Sequence, residues 1–472
     1  MKSLEIQDLL IKNLNLTPTQ DQFTFIKSLS LFLNEKEESG IFILRGYAGT
    51  GKTTLVKTIT KTLPRLGMKS VLLAPTGRAA KVLSKYSEKS ASTIHRRIYS
   101  QKSEDGRSFS FGMADNKSTN TLFIVDEASM ISGSRQSNGS MYEGSNLLED
   151  LVRYADAGEN CKLLFLGDVA QLPPVHEKVS PSLSPKMLQS SFLLKSTMVE
   201  LKEVVRQSKE SGILYNATKQ RLRLLEGEIR PLIEVNNDDV IVVDGYDIED
   251  ALQTAYSDGI EETIIITRSN KQANLYNQQI RNTILFRETE IEVGDLMMVV
   301  KNNYHWLDAT SKAGFIANGD IVELLSVGNI EERWGFRFAK CDVRMLDYPT
   351  QEPIEVILNL NTLYSEAPSL SQQEADKLYM GVMSDYAETR NKKLLYLKLK
   401  EDPYFNALQV KFSYAITCHK AQGGQWKNVF VDQGYLTEEL LGIEYMRWIY
   451  TAITRATDKL YLLNFNEDFI SE

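Results

Sequence analysis

Three groups of residues in the 472-residue chain have types and spacings suited to phosphoryl chemistry. The first is Gly46-Tyr47-Ala48-Gly49-Thr50-Gly51-Lys52-Thr53-Thr54, which holds a complete G-x-x-x-x-G-K-[ST] pattern. Gly46, Gly49 and Gly51 free the backbone to curl, so that successive N–H groups, those of Ala48, Thr50 and Thr54 among them, converge on a polyphosphate. Lys52 adds a point charge for the β- and γ-phosphates, and the Thr53 hydroxyl suits a Mg²⁺ ligand. The second is Asp126-Glu127: one carboxylate there can hold Mg²⁺ through water while its neighbour polarises an attacking water. The third is Gly167-Asp168-Val169-Ala170-Gln171-Leu172-Pro173-Pro174-Val175, in which the Gln171 amide can bond the γ-phosphate or that water. Phosphoryl transfer also calls for charge neutralisation, which an arginine from a facing lobe supplies. Arg206, Arg268 and Arg455 each qualify, and their spacing does not choose among them.

These groups need rigid supports that end at one common edge. Ile41-Phe42-Ile43-Leu44 reads as a buried strand running into the glycine loop, and Lys52 to Leu63 reads as the helix that leaves it. Ser70–Ala74, Thr121–Val125 and Cys161–Leu166 read as further buried strands, each ending in polar residues. Strands alternating with helices in this way predict a parallel, doubly wound α/β sheet with its site along the carboxyl edge. Upstream, Thr17 with Pro18 predicts a helix start just before the loop. Residues 100–120 read as a short polar hairpin, Ser132 to Asn146 as a Gly/Ser/Asn-rich loop, and His176 to Leu194 as a linker or surface loop. A second α/β pattern is expected from Met198–Leu201 through Asp239–Val243 and Thr263–Thr267. From about 291 to 410 it is interrupted by a β-rich stretch suited to a small barrel; it resumes at Leu408–Ala415 and closes at Lys459–Leu463.

Composition sets outer bounds. The length accommodates two to four domains, and 42% hydrophobic with 25% charged residues is ordinary for a globular chain. No apolar run approaches membrane-spanning length, and Met1-Lys2-Ser3-Leu4-Glu5-Ile6 lacks the start of a signal peptide, so a cytoplasmic protein without membrane partners is expected. Three separated cysteines imply neither a disulfide framework nor a zinc site. A net charge of −8 argues against coating nucleic acid by bulk charge while leaving room for a local basic groove.

Taken in order, these stretches resemble the motor core of superfamily 1 DNA helicases, in the RecD-like and Dda-like branch. The resemblance rests on Leu16–Gln20, Gly46–Thr53, Ala74-Pro75-Thr76-Gly77-Arg78-Ala79-Ala80, Val125–Met130, Gly167–Val175, Val204-Val205-Arg206-Gln207, Tyr414–Gly423 and Tyr450–Ala456. It implies an α/β fold of two RecA-like, doubly wound parallel-sheet P-loop domains with a small β-hairpin insert and an SH3-like β-barrel insert. The expected boundaries are 1–100 and 119–197 for the first domain, 101–118 for the hairpin, 198–290 and 411–472 for the second domain, and 291–410 for the barrel.

The same resemblance implies roles. Gln20 would read the adenine of ATP; Asp126 would carry Mg²⁺ and Glu127 would be the base. Gln171 would sense the γ-phosphate, Arg206 and Arg455 would be arginine fingers, and Gly423 would join the nucleotide site. Pro75, Thr76, Arg78, His95, Thr417 and His419 would lie along single-stranded DNA. The implied activity is ATP-dependent unwinding with 5′-to-3′ movement of a monomer on single strands and at single-strand/duplex junctions, with single-strand-binding or repair proteins as further partners. Alternatives are a translocase that strips proteins without processive unwinding, a DNA-binding ATPase switch, and an RNA helicase. Tyr99, Phe109, Phe111, Tyr304, Trp306 and Trp426 are the aromatics available for base stacking, and the hairpin around 105–112 is a candidate strand-separating wedge.

Overall fold

The computed structural model describes residues 2–35, 40–104, 108–134, 146–192, 194–205, 211–236, 238–308, 311, 313–389 and 391–471; the side chains of 100–104, 108–111, 392 and 393 fall outside the description. The chain begins with helices α1 (Ser3–Leu14) and α2 (Gln20–Asn34). Strands β1 (Ile41–Gly46), β2 (Lys69–Ala74), β3 (Ala91–Thr93), β6 (Thr119–Val125), β7 (Glu159–Gly167) and β8 (Ser196–Leu201) form one parallel sheet in the order β3-β2-β6-β7-β1-β8. Between β3 and β6, the strands β4 (Tyr99–Glu104) and β5 (Ser108–Met113) pair antiparallel as a ribbon of their own. Side-chain alternation explains why the sheet is covered on both faces. Phe42 and Leu44 of β1 enter the core beneath α1, α2, α3 (Lys52–Thr62) and α4 (Gly77–Ser87), while Ile41 and Ile43 enter the opposite core with α5 (Ile94–Ile98) and the helix Leu147–Asp156.

A second parallel sheet joins Val240–Val243, Ala456–Leu463, Trp426–Asp432, Thr263–Thr267 and Ala415–Thr417, in that spatial order. Beside it, Leu296–Val299, Ile321–Arg333, Phe336–Met345, Ile354–Asn359 and Leu408–Phe412 close a five-stranded barrel. The helices Gln372–Asp385 and Lys392–Glu401 lie between its last two strands, and the first of them supplies Leu378 and Val382 to a small core with Phe336 and Phe338. Asp295, fully buried at the barrel's root, is paired with Arg281 at 3.0 Å and with Arg287, and it accepts the Tyr414 hydroxyl at 2.9 Å. Breaking such a buried network by removing one partner costs about 3–5 kcal/mol, because the remaining charge is stranded.

The structure departs from the sequence expectations in four places. Helix α2 starts at Gln20 rather than beside Thr17, because Thr19 and Gln22 form a reciprocal capping box there. Ser196–Leu201, expected to open the second α/β unit, instead pairs along β1 as the edge of the first sheet. Leu408–Phe412, expected in the second α/β unit, closes the barrel by pairing with Leu296–Val299 and Ile354–Asn359. His176–Leu194 is built into the first unit rather than free: it contains the helix Pro185–Phe192, buries Leu183 completely, and presents the Leu183 carbonyl to the Arg45 guanidinium at 2.6 Å. Most of the Gly/Ser/Asn-rich stretch, 135–145, lies outside the described residues.

Candidate functional site

The glycine loop connects β1 to α3, and its shape depends on two left-handed residues, Gly49 at φ 72° and Gly51 at φ 86°. A side chain at Gly49 would run into Leu214, and one at Gly51 into the Gln22 amide. Lys52 curls back to donate to the carbonyls of Gly46 at 2.6 Å and Tyr47 at 3.0 Å, so its ammonium sits over the mouth of the loop. Gln22 donates to the Thr50 carbonyl at 3.1 Å. The expected reader, Gln20, is exposed on the first turn of α2, and the residue that reaches the loop is therefore Gln22. The Thr19-x-x-Gln22 capping pattern was the sequence signal that could have pointed to it. Thr53 is exposed at the start of α3.

At the carboxyl end of β6, Asp126 accepts the Tyr86 hydroxyl with one oxygen and the Glu127 amide with the other at 2.9 Å. Glu127 itself has a left-handed backbone at φ 49°, a strained setting for a non-glycine residue that turns its carboxylate into the cleft. Burial raises the pKa of Glu127, against the lowering fields of Arg455 and Lys52. Thr53 at the start of α3 and Asp126 after the end of β6 are a hydroxyl and a carboxylate, hard oxygen donors of the kind that Mg²⁺ takes. Among the described residues no cluster of three or more metal-ligating side chains occurs.

The other half of the site comes from the helix Ile443–Ile453 and the residues after it. Arg455 is 4% exposed and lies 3.8 Å from Glu127; it is oriented by the carbonyls of Thr451 at 3.1 Å and Gly424 at 3.2 Å. Tyr450, 1% exposed, donates to Asp168 at 2.6 Å and accepts the Ala48 amide of the glycine loop at 2.9 Å. The Leu172 amide donates to Thr451 Oγ1 at 2.9 Å, and Gln422 Nε2 donates to the Leu172 carbonyl at 2.7 Å. The loop Asp168–Leu172 of the first sheet is thereby held by three side chains of the second. Within it Gln171 is buried with Oε1 unpartnered, leaving an acceptor free for a water or a ligand group. Tyr450, Thr451 and Gln422 were not singled out in the sequence, although two of them share a helical segment with Arg455. Arg206 lies outside the described residues, but its neighbour Val205 donates to the Gly49 carbonyl at 3.0 Å. Arg268 lies off this cleft, stacked 5.4 Å over Tyr445.

Of the residues expected along a DNA strand, Pro75, Thr76 and Arg78 lie at the start of α4, Thr417 and His419 at the short helix Cys418–Ala421, and His95 apart from both on α5. Thr76 caps α4 by accepting the Ala79 amide at 3.2 Å, and Pro75 precedes it, half-buried. Arg78 reaches across to the Gln425 carbonyl at 3.4 Å and covers the Trp426 ring at 4.1 Å. Gly423, expected at the nucleotide, packs instead on Ala79 and Thr76, since a left-handed turn at φ 74° brings its backbone onto α4. Thr76, Arg78, Lys420, Gln422 and Trp426 line a cavity of about 40 Å³. Thr417 directly precedes the short helix that carries His419, and burial lowers the His419 pKa. His95 lies on α5 against Tyr99, with its pKa pushed down to about 4 by burial, which keeps its ring neutral. Of the aromatics, Tyr99 donates to Asp150 at 2.6 Å, Tyr304 packs on Phe315, Trp306 donates to the Asn406 carbonyl at 2.8 Å, and Trp426 is buried. The side chains of Phe109 and Phe111, with residues 105–107 of the expected wedge, lie outside the described residues.

Two family profiles and several known proteins match the chain. A family profile described as an AAA domain matches residues 35–229, and one described as a UvrD-like helicase C-terminal domain matches residues 412–463. The ATP-dependent RecD2 DNA helicase of Deinococcus radiodurans is 24% identical over 433 residues, covering 89% of this chain and 46% of that protein. The ATP-dependent DNA helicase dda of Enterobacteria phage T4 is 51% identical over 61 residues, covering 13% of this chain and 14% of that protein. The matched stretches thus cover less than half the length of either relative. Among solved structures, Pif1 helicase at forked double-stranded DNA superposes with a TM-score of 0.48 and 17% identity, over 97% of this chain and 95% of that one. The stretch with the glycine loop and the paired carboxylates thus matches an AAA domain, the stretch with the facing arginine matches a UvrD-like helicase C-terminal domain, and the chain is similar along most of its length to an ATP-dependent DNA helicase of the RecD2 kind.

Proposed function

We propose that this chain hydrolyses ATP in the cleft between its two parallel sheets and uses the cycle to move along single-stranded DNA, 5′ to 3′, opening duplex ahead of it. The observation that carries the reading is the composite site: Arg455 from the second sheet unit lies 3.8 Å from Glu127 of the first, in the cleft that holds Lys52. Such a site is complete only when the two units approach, which ties phosphoryl chemistry to their separation.

In this scheme Lys52 and the loop amides hold the phosphates. Glu127 takes the proton of the attacking water, a task suited to a carboxylate whose pKa burial has raised. Arg455 neutralises the charge that develops on the transferred group, and Gln171 orients the water with its free acceptor. Mg²⁺, held by Thr53 and Asp126, would supply charge neutralisation at the phosphate oxygens. Loss of the γ-phosphate then loosens the contacts of Asp168–Leu172 with Tyr450, Thr451 and Gln422, and the units part. A strand lying over α4 and the facing loop is bound across both units, so alternate closure and opening advances it. Contact through amides, hydroxyls and a few cations makes the grip largely sequence-independent.

The test is ATPase and unwinding on 5′-tailed, 3′-tailed and blunt duplexes, with RNA and DNA single strands compared as activators. Stimulation by DNA with unwinding of the 5′-tailed substrate is expected. Unwinding of only the 3′-tailed substrate would overturn the polarity; protein displacement without unwinding would favour the translocase reading; an ATPase indifferent to nucleic acid would overturn the proposal.

A further inference from the structure

At the amino ends of β2 and β6, opposite the edge that carries Lys52 and Glu127, the surface opens into a crevice of about 530 Å³. Lys69, Lys89, Arg97 and Lys117 line it, with Asp115 as the only carboxylate among the described residues. Among the described residues none of the four cations has a carboxylate partner. Hydroxyls orient two of them instead: Lys89 donates to Ser70 Oγ at 2.7 Å and Arg97 to Ser118 Oγ at 2.9 Å. Arg97 Nε is buried without any partner, and its guanidinium lies 6.0 Å from the Phe123 and Tyr154 rings, which brace it from behind. A net charge of +3 concentrated here stands out in a chain whose total is −8. Cations positioned by hydroxyls and left without counter-charge form a site for a polyanion, since a bound anion would recover the Coulomb energy that no carboxylate supplies.

The place of the crevice narrows the anion. Arg97 stands two residues before the β4/β5 ribbon, and Asp115, Lys117 and Ser118 two to five residues after it; Ala114 N bonds Ile98 O at 2.7 Å, closing the ribbon's base. The nucleotide site and the strand-contact residues Thr76 and Arg78 stand at the opposite ends of the strands, so one molecule does not fill both places. The geometry points to a second nucleic-acid site: the crevice at the ribbon's base holds the phosphodiester backbone of the strand that leaves the fork, while the translocated strand runs over α4. This inference rests on the helicase reading above, because a leaving strand exists only at a fork.

The test uses the full chain with Lys69→Gln, Lys89→Gln and Lys117→Gln combined, changes at exposed positions that keep a polar side chain on Ser70. Affinity for a forked duplex and for a single strand of the tail's length is read by anisotropy between 50 and 200 mM salt. Loss of three phosphate contacts should make the salt slope for the fork shallower by about 2 and lower fork affinity at least tenfold at the low-salt end, while the single strand changes less than twofold. Equal losses on fork and single strand, or no loss on either, would overturn the inference. If the crevice takes a free nucleotide instead, the unmodified chain binds two equivalents of ATP by calorimetry and the triple variant one; that result also overturns it. The two levels separate cleanly: failure of the unmodified chain to show DNA-stimulated ATPase sinks the helicase reading, whereas a normal unmodified chain with an unaffected triple variant sinks only the crevice.

Discussion

Tyr450→Phe removes one oxygen atom from the contact between the two sheet units and should uncouple nucleotide binding from turnover. That hydroxyl donates to Asp168 at 2.6 Å and accepts from Ala48 N at 2.9 Å, with Tyr450 and Asp168 each 1% exposed. Its removal leaves a carboxylate oxygen and an amide unpaired inside the closed cleft, each costing about 1–3 kcal/mol. Opening the cleft rehydrates both, so the closed arrangement loses about 2–6 kcal/mol relative to the open one, or at least roughly 30-fold in the equilibrium. The Ala48 amide stays available to a phosphate, so nucleotide affinity should hold within about threefold. Steady-state ATPase with saturating single-stranded DNA should therefore show kcat reduced by at least about tenfold with KM nearly unchanged. A cycle with Asp168→Asn should give a coupling of at least about 1 kcal/mol, because the two groups form one bond. Equal losses in affinity and turnover, or additive losses in the cycle, would refute the reasoning.

Other outcomes follow from neighbouring contacts. Lys52→Ala should abolish hydrolysis, because the loop loses its side-chain cation; near-normal DNA-stimulated ATPase would contradict the assignment. Arg455→Ala should cut turnover by about 10³ with nucleotide binding largely retained, as measured by single-turnover kinetics and equilibrium titration. Asp320, buried beside Asp347 at the barrel's edge over α4, has its pKa raised to about 8 by burial and then by its neighbour. Its folded pKa exceeds the unfolded one, so the folded state holds the extra proton and stability falls as pH rises from about 4 to about 8. Asp320→Asn should remove that slope and stabilise the protein at pH 8.5 by on the order of 2 kcal/mol, readable as a Tm difference that vanishes near pH 4.

The nucleotide loop, the strand-end carboxylates and the alternation of strands and helices were legible in the sequence because each is local: a glycine spacing or an apolar run ending in Asp-Glu needs no distant partner to be read. The misplaced pieces are long-range. Ser196–Leu201 lies along β1 across some 150 residues of intervening chain, and no propensity in its six residues names that partner. Leu408–Phe412 is apolar enough for either the barrel or the sheet, and pairing with Leu296–Val299 decides it. Gln20 and Gln22 differ by two positions on one helix, and a start at Thr19 determines which of them faces the loop. Tyr450 stood in a motif whose arginine drew the attention, and its partners Ala48 and Asp168 come from two other segments of the chain.

The barrel's closing strand ends at Phe412 and the edge strand of the second sheet begins at Ala415, so only Ser413 and Tyr414 separate them. Tyr414 is no swivel: its ring is buried, its hydroxyl belongs to the Asp295 network, and its amide donates to Asn277 at 3.0 Å. In the proposed cycle, barrel and second sheet would consequently turn as one solid piece, like a crank fixed to its shaft. If the units close on nucleotide as proposed, a small rotation at the cleft would be delivered, enlarged by the radius, where Asp320 and Asp347 meet the start of α4. The stroke of such a motor would be set by the length of that arm, and a softened joint at Tyr414 would cost travel before it cost hydrolysis.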